Sequence, residues 1–212
     1  AVNFKEKGAS FRDKMLTSTD KVGKLATIPM VDVTVNTLND NPLFRDLLQY
    51  TMGIHKEAPL PRYYNQTLRK RVKRLEQKSE PQAAGKTTGK LALYATCYGN
   101  FNSPELGEDF FKVFQHNNIQ LELVPTEQCC GMPKLELGDL ESVARLKEAN
   151  IPVLAALVDQ GYDLTAPIPS CVLMYKQELP LMFPDDEAVQ KVKNAFYDPF
   201  EYLFLRQEAQ KK

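Results

Sequence analysis

The spacing of apolar residues changes near residue 90. Before that position, apolar residues recur every three or four residues, which is the pattern of amphipathic helices. The pattern predicts one helix that bends near Pro29 and a second helix that starts at Pro42 and stops at Gly53. A third, basic helix is predicted around Leu68. The amino-terminal part of the chain is therefore expected to be helical.

In the second part of the chain, short apolar segments alternate with helical ones. Strands are predicted over 91–96, 119–124 and 164–168, because each is a brief apolar run bounded by polar or turn residues. Helices are expected between them, one after Ser103 and a long one after Gly138. This alternation is typical of a parallel sheet. The sequence thus predicts an α/β fold, in which a helical amino-terminal region precedes a Rossmann-like three-layer unit with a short parallel sheet.

The helices of the second part are predicted to bury particular faces. The helix after Ser103 is expected to turn four apolar residues inward: Leu106, Phe110, Val113 and Phe114. Two more helices are predicted at the carboxyl terminus, over 175–183 and 187–207. The second of these is expected to carry one apolar stripe: Val189, Val192, Phe196, Phe200 and Leu203.

A polar, aperiodic segment separates the two parts and predicts a domain boundary. We divide the chain into a helical connector or docking region over 1–77, a linker over 78–89, and a cysteine-containing α/β domain with carboxyl-terminal helices over 90–212. With 212 residues, 43% of them hydrophobic and 25% charged, the chain can bury a sizeable core.

The charge is balanced overall but unevenly distributed. Residues 1–80 carry 15 Lys and Arg against 9 Asp and Glu, which gives +6, whereas residues 81–212 carry 12 against 18, which gives −6. Five of the basic residues form one run: Arg69, Lys70, Arg71, Lys73 and Arg74. The simplest interpretation is a solvated helix face, followed by docking to an acidic partner or an anionic lipid surface. The balanced total does not indicate a nucleic-acid-binding protein.

The sequence contains neither a run apolar enough to span a membrane nor a signal-like stretch at its start. It begins without methionine, so we expect a processed chain or a piece of a longer protein. The reducing cytoplasm is the expected compartment, where clustered thiols bind metal more often than they form disulfides.

All four cysteines lie in the second part, each near the predicted end of a strand: Cys97, Cys129, Cys130 and Cys171. Because the carboxyl ends of parallel strands meet at one edge of a sheet, we expect these thiols to form one site. Thirty-one residues separate Cys97 from Cys129 and forty separate Cys130 from Cys171, which excludes zinc-ribbon and short ferredoxin patterns. Neighbouring turn residues supply backbone N–H groups that can stabilise sulfur charge.

Four interpretations of these thiols remain open from the residues. They could hold an iron–sulfur cluster or zinc. They could be buried small hydrophobic residues. The adjacent Cys129 and Cys130 could also perform thiol–disulfide chemistry through a strained, easily reduced ring.

The arrangement of Cys97, Cys129-Cys130-Gly131 and Pro169-Ser170-Cys171 resembles a known family. It is similar to the CCG cysteine-rich domain found in one subunit each of heterodisulfide reductase and anaerobic glycerol-3-phosphate dehydrogenase, and in the iron–sulfur subunits of glycolate and lactate oxidation. The likeness covers about residues 90–185. Residues 53–63 resemble, more weakly, the connector that precedes the first such domain in those proteins.

The resemblance implies an electron-transfer subunit, a component of an oxidoreductase rather than a complete enzyme. Its four thiolates, at Cys97, Cys129, Cys130 and Cys171, would hold a [4Fe-4S] cluster that passes electrons between a flavoprotein dehydrogenase or disulfide partner and a quinone or other carrier. The implied partners include a ferredoxin-like module and a second CCG domain. A cytoplasmic location is implied, with peripheral association with the inner face of the membrane left open.

The sequence departs from the family pattern at one position. The family's last element is often C-x-x-C, and here its final position is Met174. A core side chain is the expected role of Met174, because thioether ligation of iron is mainly a property of haem proteins. Four thiolates suffice for a [4Fe-4S] cubane.

Overall fold

The computed structural model describes residues 2–73, 75 and 80–211. Arg74 of the predicted basic run and part of the predicted linker, residues 78–79, lie outside the described residues. Among the described residues, six helices precede the sheet: α1 (Val2–Lys7), α2 (Phe11–Leu16), α3 (Thr19–Ala26), α4 (Val31–Asp40), α5 (Pro42–Met52) and α6 (Leu68–Val72). In the described part of the chain, no helix is long and apolar enough to cross a membrane.

The predicted helices of this region are confirmed, and their ends follow from local chemistry. The predicted bend near Pro29 is a break between α3 and α4, where Met30 adopts a positive φ of 72°. Helix α5 begins at Asn41, whose side chain accepts hydrogen bonds from the backbone N–H groups of the first turn. It ends at Gly53, which takes the left-handed conformation that glycine adopts without penalty.

The second part of the chain forms a four-stranded sheet surrounded by helices. The strands are β1 (Lys90–Leu93), β2 (Gln120–Leu123), β3 (Asp163–Thr165) and β4 (Phe196–Tyr197). The helices are α7 (Cys97–Phe101), α8 (Pro104–His116), α9 (Met132–Leu137), α10 (Leu140–Asp159), α11 (Pro169–Leu173), α12 (Leu179–Met182), α13 (Glu187–Ala195) and α14 (Pro199–Gln210). A π-helical turn, Met174–Glu178, joins α11 to α12 without a break in helical backbone.

All the strand pairs are parallel, in the order β2-β1-β3-β4. The register places Leu91 beside Leu121 on one side and beside Asp163 on the other, so β1 is an inner strand of the sheet. The predicted α/β class with a short parallel sheet and a helical amino-terminal region is therefore confirmed.

Alternate residues of β1 enter two separate cores, which makes the unit three-layered. Ala92 and the following Tyr94 face a core that contains two of the cysteines, Cys130 and Cys171, and we call it the cysteine-side core. Leu91 and Leu93 face the opposite core with residues of α8. Leu68 of α6 is also fully buried in the opposite core. Helix α6 thus packs on the sheet unit.

The predicted inner face of α8 is wrong in part. Val113 is 46% exposed, and Phe111, which was not predicted to face inward, is 1% exposed. The buried positions of α8 are Pro104, Gly107, Phe111 and Phe114. Gly107 lets α6 approach closely, because a Cβ there would lie 2.2 Å from a Leu68 methyl group.

The predicted single helix over 187–207 is also wrong. It is interrupted by β4, which was not predicted, and it continues as α14. Asp198 adopts an extended backbone, with φ −64° and ψ 142°, because a residue that precedes proline disfavours the helical conformation. Phe200, expected on the apolar stripe, is 78% exposed, whereas Phe196 is buried as a strand residue.

Candidate metal centre

The cysteines follow three adjacent strands and lie at the carboxyl ends of these strands. Cys97 begins α7 just after β1, and Cys171 lies in the first turn of α11 after β3. Cys129 and Cys130 lie in the loop that connects β2 to α9. Because β1 pairs with both β2 and β3, the segments that follow these strands meet.

The four cysteines line one cavity of about 240 Å³. Cys97 is partly exposed, and the other three are 4–5% exposed. All four are free thiols. The remaining wall comes from several elements, including the amino-terminal helices: Thr19, Thr96, Tyr98, Met132, Pro133, Glu136, Ile168 and Ser170.

The sulfur atoms form a chain of contacts. Cys171 Sγ donates a hydrogen bond to Cys130 Sγ at 3.2 Å. Cys129 interacts by hydrogen bonds with both Cys130 and Cys97. At the outer end, Cys97 Sγ lies 3.3 Å from the Thr19 hydroxyl oxygen. Residues from three loops and from α3 thus converge on one row of sulfur atoms.

These contacts and burial raise the pKa of the thiols. The pKa of Cys129 rises to about 11, first because its hydrogen bond to Cys130 favours the protonated form, and then because of burial. The pKa of Cys97 is raised by its hydrogen bond with Cys129 and by burial. For Cys130, the hydrogen bond with Cys129 lowers the pKa, but the bond from Cys171 and burial outweigh it and raise the pKa.

Backbone N–H groups act in the opposite direction and favour the thiolates. The amides of Tyr98, Gly131 and Met132 donate to the sulfurs of Cys97, Cys129 and Cys130, respectively, and each lowers the pKa of its thiol. Such donors stabilise negative sulfur in metal sites. The sequence-based expectation that turn amides face the sulfurs agrees with these contacts.

Two unusual backbone conformations shape the loops. Thr96 has φ 64° and ψ 160°, a region that is nearly restricted to glycine, and its hydroxyl accepts a hydrogen bond from Gly99 N at 2.9 Å. Gly131 has φ 98°, and a Cβ there would lie 3.4 Å from Met174 Cε. Met174 is itself fully buried, in agreement with its expected role in the core.

Sequence reasoning missed Asn150, which fixes the loop that carries the adjacent cysteines. Its amide donates to Cys129 O at 3.1 Å and to the Tyr94 hydroxyl at 3.4 Å, and it accepts from Gln128 N at 2.8 Å. Tyr94, in turn, donates to Gln128 O. The only signal in the sequence is a polar residue at an inward position of a long helix.

Sequence reasoning also missed a buried ion pair beside the cysteines. Glu127 Oε2 accepts from Ala95 N at 3.0 Å and lies 3.3 Å from Arg69 Nη2. Burial raises the pKa of Glu127 to about 7, although Arg69 lowers it. Arg69 was predicted on a solvated face. Instead, it lines a second pocket together with Glu127, Cys97 and Cys129.

The donor chemistry of the site suits an iron–sulfur cluster or a zinc ion, because both take thiolate ligands. A single zinc needs three or four ligands around one point, and the described residues contain no group of three or more His, Cys, Asp or Glu arranged in this way. In a [4Fe-4S] cluster each thiolate binds a different iron, so the sulfurs need not meet at a point. Four thiols with amide donors line one cavity here, and Cys130 and Cys171, whose sulfurs are 3.2 Å apart, would have to move apart for each to bind a different iron.

A family model matches the part of the chain that contains the cysteines. The cysteine-rich domain CCG matches residues 91–176, which include all four cysteines. No solved structure matches the chain.

Several curated proteins are similar over longer stretches. One subunit of the anaerobic glycerol-3-phosphate dehydrogenase of Escherichia coli K12 is 27% identical over 172 residues, which cover 81% of this chain and 42% of that protein. Lactate utilization protein A of Bacillus cytotoxicus is 28% identical over 118 residues, 54% of this chain and 47% of that protein. Lactate utilization protein A 1 of Bacillus mycoides is 28% identical over 104 residues, 49% of this chain and 40% of that protein. The chain spans less than half the length of these relatives.

Proposed function

We propose that the chain, whose residues 91–176 match the cysteine-rich domain CCG, is an iron–sulfur electron-transfer module of a multi-subunit oxidoreductase. The module would pass electrons between a dehydrogenase or disulfide partner and a quinone or other carrier. One observation carries the proposal: four thiols from three strand ends line a single cavity.

The ligand roles in this proposal fall to Cys97, Cys129, Cys130 and Cys171. A bound [4Fe-4S] cluster would supply a one-electron couple, which the side chains of this chain cannot provide themselves. The raised pKa values of Cys97, Cys129 and Cys130 mean that these three are protonated at neutral pH, so loading would release protons as each thiolate forms. The amides of Tyr98, Gly131 and Met132 would then stabilise the thiolate charge.

The names of the relatives support the proposed setting. One is a dehydrogenase subunit and another takes part in lactate utilization, so dehydrogenase subunits are the proposed partners. We assign the docking role to residues 1–77, the linker role to residues 78–89 and the cluster-binding role to residues 90–212. The proposed location is the cytoplasm, with peripheral contact at the inner face of the membrane.

The test is the content of iron and acid-labile sulfide in protein prepared without oxygen, compared with a Cys130→Ser variant. We expect about four iron and four sulfide per chain, and loss of most of both in the variant. A Ser142→Ala variant, which leaves the cysteines intact, serves as the control. One zinc per chain without sulfide would replace the proposal with a structural metal site.

A dithiol–disulfide couple is the second candidate, because Cys130 and Cys171 place their sulfurs 3.2 Å apart. Oxidation by a disulfide substrate would form a Cys130–Cys171 S–S bond and break the substrate's S–S bond, so that two electrons and two protons pass to the substrate and leave it as two thiols. The raised pKa of Cys130 counts against this candidate, since the thiolate is the nucleophile. Peptide mapping after mild oxidation tests it: a Cys130–Cys171 disulfide in protein without iron would favour this candidate.

A further inference from the structure

Tyr175 places a hydroxyl group in the cysteine-side core. The residue is 1% exposed, and among the described residues its hydroxyl oxygen makes no hydrogen bond of normal geometry, although the nearby Tyr94 hydroxyl interacts with it and lowers the pKa of Tyr175. An unpaired buried hydroxyl destabilises the folded state, because it has lost its hydrogen bonds to water. Phenylalanine would fill the same space without that cost, so the hydroxyl needs an explanation.

The position of the ring is fixed by its neighbours. Tyr175 stacks on Phe196 of β4 with ring centroids 4.9 Å apart and planes 17° from parallel. The Tyr94 ring meets it edge-on at 5.2 Å. A ring clamped in this way cannot carry its hydroxyl out to solvent.

The ring belongs to the same core as two of the thiols. Cys171 and Tyr175 are four residues apart in the continuous helix formed by α11 and the π-helical turn, so they share its inward side. Both belong to the cysteine-side core together with Cys130. The pKa of Tyr175 is raised, first by burial and then by the negative charge of Cys130 and Cys171 when these are thiolates, although the Tyr94 hydroxyl lowers it in part.

The Tyr94 hydroxyl is a neighbour of the Tyr175 hydroxyl, but it is already engaged. It donates its proton to Gln128 O and accepts from Asn150 at 3.4 Å. In the thiol state the nearby sulfurs are weak acceptors, and Cys171 already donates to Cys130. A thiolate is a much stronger acceptor, because hydrogen bonds to charged groups are the strong ones.

We propose that the Tyr175 hydroxyl is the hydrogen-bond donor for thiolate sulfur at the Cys130 and Cys171 side of the metal centre. This inference rests on the proposed iron–sulfur function. Tyr175 is then a positioning residue: its bond stabilises the more negative, reduced state of the centre and raises its reduction potential. The π-helical turn, a feature that often marks functional sites, begins one residue before it.

The test is the reduction potential of Tyr175→Phe in protein whose iron and sulfide have first been measured. We expect the variant to bind a full cluster but to show a lower potential, with the ratio of reduced to oxidised centre at a fixed potential falling roughly threefold to tenfold. For a one-electron couple, tenfold corresponds to about 59 mV. Pulsed EPR of the reduced protein should lose one exchangeable proton coupling in the variant.

Tyr202→Phe is the matched control. Tyr202 is equally buried, but its hydroxyl donates to Asp163 at 2.9 Å and accepts from Gly89 N at 3.1 Å, in the opposite core. This control should leave the potential unchanged. In protein without metal, Tyr202→Phe should lower the thermal unfolding temperature, whereas Tyr175→Phe should keep or raise it, because only Tyr202 loses hydrogen bonds.

The outcomes separate the two proposals. Wild-type protein without iron and sulfide would overturn the proposed function, and the role of Tyr175 with it. A fully loaded Tyr175→Phe variant with an unchanged potential and unchanged proton couplings would overturn the role of Tyr175 alone.

Discussion

At the scale of single residues, one amide determines how the adjacent cysteines are presented. Asn150 is 2% exposed and contacts the backbone of Gln128 and Cys129 as well as the Tyr94 hydroxyl. A loop between a strand and a helix has few backbone hydrogen bonds of its own, so a side chain supplies them here. The direction of both sulfurs therefore depends on a residue outside the row of thiols.

Replacement of Asn150 by alanine should loosen this loop. The change leaves the N–H of Gln128 and the carbonyl of Cys129 without their partner, so we expect the free energy of unfolding to fall by about 2–4 kcal/mol. In protein without metal, the thiol of Cys129 should also react several times faster with a thiol reagent. Denaturant unfolding and timed labelling with mass spectrometry measure the two effects.

Asn194→Ala is the control for this change, because Asn194 is an exposed residue of α13. It should change the free energy of unfolding by no more than about 0.5 kcal/mol and leave the labelling rate of Cys129 as in wild type. Equal labelling of Cys129 in Asn150→Ala and wild-type protein would show that the loop does not need the amide.

At the scale of elements, a buried lysine joins α10 to the start of α13. Lys147 is 8% exposed, and its ammonium group lies 2.5 Å from Asp186 Oδ2. Asp186 also caps α13, since its other oxygen accepts from the N–H groups of Ala188 and Val189. One carboxylate thus fixes both the direction of α13 and its distance from α10.

The Asp186→Asn variant separates these two roles, because asparagine caps helices as well as aspartate does. The hydrogen bond from Lys147 holds the pKa of Asp186 below its ordinary value of 3.8. A carboxyl with a lowered folded-state pKa stabilises the protein above its unfolded-state pKa, and this stabilisation is lost as the pH falls through the folded-state pKa. We expect the variant to be less stable at pH 7 by about 1–2 kcal/mol.

The free energies of unfolding of both proteins, measured from pH 7 down to pH 3, test the direction of this pH dependence. The difference between wild type and Asp186→Asn should stay constant above about pH 4 and shrink below it. A difference that persists unchanged at pH 3 would mean that the charge of Asp186 contributes nothing.

The elements also show what the sequence could predict. Helix α5 was predicted with its cap and stop because proline, asparagine and glycine act locally. The first three strands were predicted from their short apolar runs, and the cysteines from their places at strand ends. Strand β4 was missed because Phe196 fits the helical spacing of Val189 and Val192, and only the pair Asp198-Pro199 signals the break.

The rest of the site could not be predicted for a different physical reason. Asn150, Glu127 and Tyr175 act through neighbours that are distant in sequence, and their own segments read as ordinary helix or loop. Whether a buried polar group finds a polar partner depends on tertiary packing. It leaves no periodic pattern that a single sequence could reveal.

At the scale of the whole molecule, the amino-terminal region packs directly on the cysteine edge of the sheet. Helix α3 contacts α7, and Gly23 lies against the Phe101 ring. Asn100 Oδ1 accepts from Arg69 N at 3.1 Å, and Tyr64 N donates to Phe101 O at 3.0 Å. The segment that begins with Cys97 is therefore held between the sheet and the first part of the chain.

Replacement of Gly23 by alanine should disturb this contact. A Cβ at Gly23 would lie 2.3 Å from Phe101 Cδ2, so either the ring or α3 must shift, at a cost of about 1–3 kcal/mol. We expect the contact between Thr19 and Cys97 to weaken, so that Cys97 reacts several times faster with a thiol reagent while Cys130 does not.

Lys21→Ala is the matched control, an exposed position of the same helix. It should leave the reactivity of Cys97 as in wild type. If Gly23→Ala accelerates Cys97 and Cys130 equally, general destabilisation rather than loss of the α3 contact would be the cause.

The strand order has a consequence for the growing polypeptide. The ribosome produces β1 first, and this strand becomes an inner strand of the sheet; β2 then joins one side of it, β3 the other, and β4 the far side of β3. Each new strand finds an unpaired neighbour at an edge, and none must be inserted between two strands that have already paired. The sheet can therefore grow outward during synthesis. Cys97, then Cys129 and Cys130, then Cys171 arrive in turn at the carboxyl ends of its strands.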